Sequence, residues 1–249
     1  MTDKTKSWIE RDLITVSCML IGLMCRMAYC IRYPVQPRDS YKYEWVVSLW
    51  EETGEVSDQI TFFPLSLWIL KTPYHSFQYD IIRGAIIINV LLGLLIIYFS
   101  TIIADRMFKN RYVVANVGLL VATNPMLIRF SCTFLRENTY LLFSVIAFSC
   151  FLRYYMRPDL LSVSLCSFFG ALAFLCRLEG LEVFAVFVLV VFLLSCKRII
   201  KPGKIVCHAF LFSLLFFLTI VGTCLLLDFN WVEIRSIISR FYLDEAGIN

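Results

Sequence analysis

The sequence predicts an all-α integral membrane protein with about seven transmembrane helices. Of its 249 residues, 59% are hydrophobic and only 17% are charged. The mean hydropathy of +0.76 is far above that of an ordinary soluble domain. Apolar runs long enough to cross a bilayer recur along the chain, separated by short clusters of Lys and Arg. We therefore expect one membrane domain that covers residues 1–249.

The first apolar run is predicted to be a transmembrane helix rather than a cleaved signal peptide. It covers about residues 12–32, which is longer than the apolar core of a signal peptide. It is also interrupted by Arg26 and lacks a small-residue cleavage site.

Six more apolar runs follow, and a membrane-spanning helix needs about 20 mostly apolar residues. The third span carries Asn116 and the pair Asn124-Pro125, and the fifth is short and rich in serine. Spans two to seven are predicted near residues 82–104, 111–128, 137–154, 160–176, 179–196 and 205–227.

Basic residues set the predicted orientation. The N-terminus and the segments after spans two, four and six each carry a Lys/Arg cluster, and seven spans put all four clusters on one side. Because such clusters mark the cytoplasmic side, we expect the N-terminus inside and the tail 228–249 outside. This distribution indicates orientation rather than nucleic-acid binding. The clusters are Lys4, Lys6 and Arg11; Arg106, Lys109 and Arg111; Arg153 and Arg157; and Lys197, Arg198, Lys201 and Lys204.

One long external loop connects the first two spans, over about residues 33–79. Residues 41–52 predict an amphipathic helix that lies in the membrane interface and ends at Gly54. A second apolar stretch at residues 62–70 is too short to span, so we expect it to be interfacial or re-entrant. The apolar side of the first helix consists of Trp45, Val46, Leu49 and Trp50.

The ten cysteines give no metal-binding pattern. There is no Cys-x-x-Cys pair and no Cys/His cluster, and most cysteines lie in or beside apolar spans, where they act as small hydrophobic residues. Cys30, Cys132 and Cys176 fall near the predicted outer face. A structural disulfide between two of these three stays open.

Four arginines break the orientation rule, because the external side should be poor in arginine. A guanidinium is a planar, permanently charged and bidentate donor, so four of them predict a site for a phosphate or pyrophosphate. The alternative is that each one extends to the membrane surface or forms an ion pair between helix ends. The four are Arg38, Arg129, Arg136 and Arg177.

Three external acids accompany these arginines, namely Asp39, Glu137 and Glu179. Transfer of a group to a hydroxyl or amine needs a general base, or a carboxylate that holds the acceptor or a metal. Asp39 lies at the boundary of span and loop, where a carboxylate can be partly desolvated and close to Arg38. His75 is the only external histidine, and we interpret it as a loop residue rather than a catalyst.

The external loop and several later motifs resemble the GT-C superfamily of membrane glycosyltransferases, which includes the protein O-mannosyltransferases and the lipid A aminoarabinose transferases. The resemblance covers about residues 10–230 and depends on the order of the motifs more than on any one of them. The motifs are Asp39-Ser40-Tyr41-Lys42-Tyr43 with Val46-Val47-Ser48-Leu49 and Gly54, Phe63-Pro64-Leu65, Arg83-Gly84, Asn124-Pro125 with Phe130-Ser131 and Arg136-Glu137, and the run from Gly170 to Gly180 that contains Arg177 and Glu179.

This resemblance implies an enzyme that moves a hexosyl or pentosyl group from a polyprenyl-phosphate carrier to an acceptor glycan, lipid or protein. The reaction would take place at the outer face of a bacterial inner membrane or at an equivalent lumenal face. Asp39 would be the catalytic acidic residue. The donor phosphate would bind Arg136 and Arg177, with Arg38 and Arg129 nearby. Supporting roles fall to Glu137, Glu179, Tyr43 and His75.

Two departures from the family pattern leave alternatives open. The acidic pair of the family is Asp39-Ser40 here, so its second carboxylate is missing. No cofactor follows from these residues, because a single carboxylate is a poor magnesium site unless a donor phosphate helps to hold a divalent cation. The chain ends at Asn249, soon after span seven, so it could be a minimal enzyme, a truncated one, or a subunit that needs a protein partner.

The main rival is a non-catalytic protein that binds or translocates the lipid carrier, or an assembly subunit with the same fold. A secondary transporter is a third reading, but the sequence lacks a convincing inverted repeat with paired broken helices.

Overall fold

The computed structural model describes residues 3–33, 36–53, 64–72, 81–196 and 202–226, and their regular secondary structure is entirely helical. The predictions for Gly54, His75 and the tail 228–249 lie outside these ranges. The described helices are α1 Asp3–Arg32, α2 Arg38–Thr53, α3 Pro64–Lys71, α4 Ile81–Phe108, α5 Arg111–Thr123, α6 Pro125–Ser131, α7 Glu137–Met156, α8 Leu160–Cys176, α9 Leu181–Cys196 and α10 Pro202–Leu226, with a three-residue 3₁₀ turn, Leu178–Gly180, before α9.

Four of the described helices are long and apolar enough to cross a membrane, and the bent pair of α5 and α6 makes a fifth if it counts as one span. Helices α8 and α9 coincide with the fifth and sixth predicted spans but have only 17 and 16 residues, which corresponds to a length of about 25 Å. The four long apolar segments are Arg11–Arg32, Ile82–Phe108, Glu137–Met156 and Val206–Leu226.

The third predicted span is broken in the structure. Helix α5 ends at Thr123, α6 begins at Pro125, and the two are bent by 55°. Proline disfavours helical geometry at the residue before it, and Asn124 is accordingly extended (φ −61°, ψ 119°). Its Oδ1 accepts hydrogen bonds from the amides of Met126 (2.9 Å) and Leu127 (3.2 Å), which caps the new helix.

The helices form two packed groups that share the contact between α4 and α7. In the first group, α1, α4 and α5 pack against each other, and in the second, α8 packs on α7, α9 and α10. An aromatic cluster fills the second group, where the rings of Phe187 and Phe212 stack with centroids 3.8 Å apart. At one edge of this cluster, the Tyr154 hydroxyl lies 3.1 Å from Nδ1 of the buried His208.

Large apolar side chains cover the outside of the long helices. A soluble protein rarely exposes apolar surface on this scale, whereas lipid-facing helices do. Together with the four long apolar helices, this surface makes the chain a multi-pass membrane protein. Examples are Leu13, Leu20 and Met24 on α1, Leu91 and Leu95 on α4, and Phe210, Phe217 and Leu218 on α10.

A buried arginine joins α1 to the broken span. Arg26 has no solvent-exposed surface, and its Nε donates to Oγ of Ser131 at 2.9 Å. Its Nη1 donates to the carbonyls of Gly22 (3.0 Å) and Ala122 (3.3 Å). The Ala122 carbonyl is available because the amide of Met126, its usual helical partner, is used by the cap at the break. Arg26 therefore satisfies an acceptor that the break releases.

The hydrogen-bond network continues from Arg26 to the beginning of α7. Oγ of Ser131 also accepts from Nδ2 of Asn138 at 2.9 Å, and Asn138 donates to the carbonyl of Asn89 at 2.9 Å. Nδ2 of Asn89 donates in turn to the carbonyls of Thr133 (2.8 Å) and Leu135 (3.1 Å). This network fixes the turn between α6 and α7. This role of Arg26 is not predictable from the sequence, where the residue only argues against a signal peptide.

Gly93 on α4 is expected to be essential for this network. A Cβ at Gly93 would lie 2.4 Å from Oγ of Ser131 and 2.8 Å from Nε of Arg26. We expect Gly93→Ala to lower the free energy of unfolding by about 2–3 kcal/mol, the upper part of the range for overpacking. Denaturant titration of the detergent-purified protein measures this change. The matched control is Gly222→Ala, where a Cβ meets nothing within 4 Å. Equal stability of the two variants would contradict the prediction.

Candidate functional site

Helix α2 packs onto the transmembrane helices beside the turn between α6 and α7. Tyr43, Val46 and Val47 are buried against Phe134 and Leu135 of that turn. The buried side of α2 therefore differs from the predicted one: Val46 belongs to it, but Trp45 is exposed, because the helix packs on protein through the Tyr43 side.

Gln36 holds the chain between α1 and α2 against the same turn. Its Nε2 donates to the Cys132 carbonyl at 3.2 Å, and its Oε1 accepts from the Phe134 amide at 3.1 Å. A buried side-chain amide that both donates and accepts fixes the two segments relative to each other. The beginning of α2 is thereby set next to the residues that open α7.

An ion-pair cluster connects the beginning of α7 to the turn between α8 and α9. Arg177 donates from Nη1 to Oε1 of Glu137 at 2.9 Å and from Nε to Oε2 of Glu179 at 3.1 Å, and its Nη2 contacts Oε1 of Glu179 as well. The guanidinium also lies over the Tyr140 ring, 5.9 Å from its centroid. Two carboxylates and an aromatic face thus fix the orientation of Arg177.

The charges of this cluster stabilise one another. The hydrogen bond to Glu179 is the largest influence on Arg177 and raises its pKa, while Arg177 holds the pKa of the Glu179 carboxyl below its usual range. Glu137 is the first residue of α7, where the helix dipole favours a negative charge. Arg177 and Glu179 therefore stay ionised at neutral pH.

Tyr43 lies among the charged side chains of the site. Burial raises the pKa of its phenol to about 12, and the charges of Arg136, Glu137, Asp39 and Arg177 also act on it. The phenol is therefore neutral at physiological pH and able to donate a hydrogen bond. Tyr43 is thus close enough to the charged residues of α2, α7 and the α8–α9 turn to be affected by their charges.

Arg136 supplies the second guanidinium of the site. It precedes the first residue of α7, and its Nε and Nη1 atoms are shielded from solvent. Its charge reaches both Tyr43 and Glu179. With Arg177 it contributes two positive charges, which the negative charges of Glu137 and Glu179 balance.

The remaining predicted residues lie at the edge of the site or outside the residues that the structure describes. Asp39 is exposed, with 68% of its side-chain surface accessible, and its ion-pair partner is Lys42 at 3.7 Å rather than Arg38. Arg38 and Arg129 are exposed, and among the described residues neither joins the ion pairs of Arg177. His75 lies outside the described residues.

An apolar cavity of about 180 Å³ opens between α7, α8 and α9. Tyr140, whose ring lies under the guanidinium of Arg177, also lines this cavity. The cavity therefore begins directly beneath the ion-pair cluster. Sequence reasoning missed Tyr140, although its spacing of three residues from Glu137 places both on one face of α7. The lining also includes Ser144, Phe148, Glu182, Val183 and Val186.

No group of three or more His, Cys, Asp or Glu side chains that could hold a metal ion occurs among the described residues.

Comparison with known proteins adds one finding. Residues 61–238 match the family model described as dolichyl-phosphate-mannose-protein mannosyltransferase. No curated protein matches the chain. The matched region contains Arg136, Glu137, Arg177 and Glu179, and it begins after α2.

Proposed function

The chain belongs to the dolichyl-phosphate-mannose-protein mannosyltransferase family, and we propose that it transfers a sugar from a polyprenyl-phosphate carrier to an acceptor at the outer face of its membrane. Its membership confirms the resemblance to the GT-C glycosyltransferases. The family description names mannose as the sugar and a protein as the acceptor, and we propose both for this chain.

The observation that carries this proposal is the fixed guanidinium of Arg177 beside Arg136, Tyr43 and the cavity. Glu137 and Glu179 hold Arg177 in place before any ligand arrives, and such preorganised charge is most effective where charge develops in a reaction. In this proposal the carrier phosphate binds next to the guanidiniums of Arg136 and Arg177. The apolar cavity below Tyr140 suits the first isoprene units of the carrier.

We assign the following roles in transfer. The acceptor hydroxyl attacks the anomeric carbon, and the bond from that carbon to the phosphate oxygen breaks with its electron pair. Arg136 and Arg177 neutralise the phosphate as it leaves, and the Tyr43 hydroxyl donates a hydrogen bond to it. Asp39 accepts the proton of the acceptor hydroxyl. Displacement from the opposite side inverts the anomeric centre.

The same proposal includes seven spans, with α8, α9 and the bent pair α5–α6 as the shorter ones. This count puts the basic clusters after α4 and α7 on the cytoplasmic side and the ion-pair cluster on the outer side. The N-terminus would be cytoplasmic. The membrane would be a bacterial inner membrane or one with an equivalent lumenal face.

A second candidate function is a non-catalytic subunit that binds the lipid carrier. It is favoured by Asp39, which is exposed, paired with Lys42 and unaccompanied by a second acid at position 40.

The substitution Asp39→Asn separates the two functions. If Asp39 is the base, the transfer rate should fall about 100-fold or more, because a positioned general base contributes at least that factor. The affinity for the donor lipid should change less than about twofold, since the arginines remain. Transfer of radiolabelled mannose to an acceptor peptide measures the first quantity, and a thermal shift with the carrier lipid measures the second.

The control is Glu52→Gln, which makes the same chemical change at an exposed position near the end of α2. It should transfer at the wild-type rate. Full activity of Asp39→Asn would show that another group takes the proton. A wild-type protein that binds the carrier and never transfers would establish the non-catalytic subunit.

A further inference from the structure

Two cysteines from distant parts of the sequence meet where α1 ends. Cys30 lies in the last turn of α1, and Cys132 is the C-cap residue of α6. Sγ of Cys132 donates to the carbonyl of Arg26 at 3.2 Å. In an α-helix the carbonyl of residue 26 is also the acceptor for the amide of residue 30, so this contact places the sulfur of Cys132 beside Cys30.

The surrounding contacts hold the two backbones together independently of the cysteines. On the α1 side, Arg26 binds Ser131, the residue before Cys132. On the other side, Gln36 binds the Cys132 carbonyl. The approach of the two thiols is therefore imposed by a fixed framework and does not depend on the side-chain positions of the cysteines alone.

From this placement we propose that Cys30 and Cys132 form a structural disulfide in the mature protein. The orientation proposed above puts this end of α1 at the outer face, where the compartment is oxidising and thiols do not persist as they do in the cytosol. The cross-link would tie α1 to the turn that leads to Arg136 and Glu137. It rests on the proposed orientation but not on the transfer chemistry.

The reaction requires a disulfide-bearing oxidoreductase as the oxidant. The thiolate of Cys30, which is half-buried and the more accessible of the two, attacks the donor disulfide and releases one donor thiolate. The thiolate of Cys132 then attacks the Cys30 sulfur in the mixed disulfide and releases the second donor thiolate. Two electrons pass to the donor, and the two protons lost by the cysteines convert the two donor thiolates to thiols. Cys132 is buried, so we expect the reaction to take place during folding.

The test is a thiol-trapping experiment on the full chain in native membranes. Acid-quenched membranes are denatured, alkylated with N-ethylmaleimide without reductant and digested, and the peptides are identified by mass spectrometry. We expect a linked peptide pair containing Cys30 and Cys132, which disappears after reduction. The internal control is Cys207, exposed near the beginning of α10, which should be fully alkylated.

A second measurement tests whether the disulfide stabilises the folded protein. Reductant should lower the thermal midpoint of the wild-type protein by several degrees, because a cross-link over about 100 residues restricts the unfolded chain. It should leave the midpoint of Cys30→Ser unchanged. Full alkylation of both cysteines in the non-reduced membranes would overturn the proposal. Assaying transfer in the same membranes keeps the two proposals distinct, because active membranes with free thiols would reject the disulfide and retain the transferase.

Discussion

Replacing Arg177 with methionine is expected to lower kcat/KM for sugar transfer about 100-fold or more, the effect of removing one preorganised donor from a charged transition state. Methionine keeps most of the side-chain length but removes the charge. It also leaves Glu137 and Glu179 facing each other without the cation that lies between them. Repulsion between the two carboxylates should then open the contact between α7 and the α8–α9 turn.

The chain offers matched controls for this prediction. Arg157→Met makes the same change at an exposed position after α7 and should keep wild-type kinetics. Arg177→Lys keeps the charge but cannot bind both carboxylates through a planar fork, so its rate should be intermediate. An Arg177→Met enzyme with wild-type kcat/KM would reduce Arg177 to a structural ion pair.

Gly180→Ala is expected to destabilise the protein and abolish measurable transfer. A Cβ at Gly180 would lie 2.2 Å from the Phe174 amide nitrogen and 2.5 Å from the Ala173 carbonyl carbon. These are backbone atoms of α8, so no side-chain rotation relieves the clash, and the turn that carries Arg177 and Glu179 must move. We expect a loss of about 3 kcal/mol or more in the free energy of unfolding, the upper limit for overpacking.

Thermal denaturation and the transfer assay measure both parts of this expectation. The control is Gly203→Ala, a glycine in the first turn of α10 whose Cβ would meet nothing within 4 Å. That variant should keep its stability and activity. If Gly180→Ala behaves like the control, the turn does not position the site.

The helical framework was largely predictable because apolar runs and basic clusters are local signals. The fifth predicted span, residues 160–176, coincides with α8. The sequence predicts the third span as one helix that contains Asn124-Pro125, whereas the structure breaks it at this pair. Its bend is stabilised by Arg26, which is about a hundred residues away along the chain, and no local pattern connects the two.

The sequence indicates which charged residues belong to the candidate site, but it does not indicate which of them form ion pairs with each other. The alternation of span ends between the two sides predicts that Arg136, Glu137, Arg177 and Glu179 lie on one side of the membrane. It did not show that Arg177 binds Glu137 across 40 residues, because that contact depends on the packing of α7 against α8. Likewise, Asp39 is exposed because α2 packs through its Tyr43 side, and the helical spacing of the apolar residues alone does not predict which side packs.

Binding of the lipid carrier is the decisive measurement, because we propose that Arg136 and Arg177 bind the carrier phosphate. Detergent-purified wild type and the Arg136→Ala/Arg177→Ala double variant are compared by thermal shift with undecaprenyl phosphate. A ligand that binds the folded state raises apparent stability by mass action, so the wild-type midpoint should rise with lipid concentration. The double variant, folded by circular dichroism, should show no such rise. A folded wild type with no rise, or an equal rise in both proteins, would show that Arg136 and Arg177 do not bind the carrier phosphate.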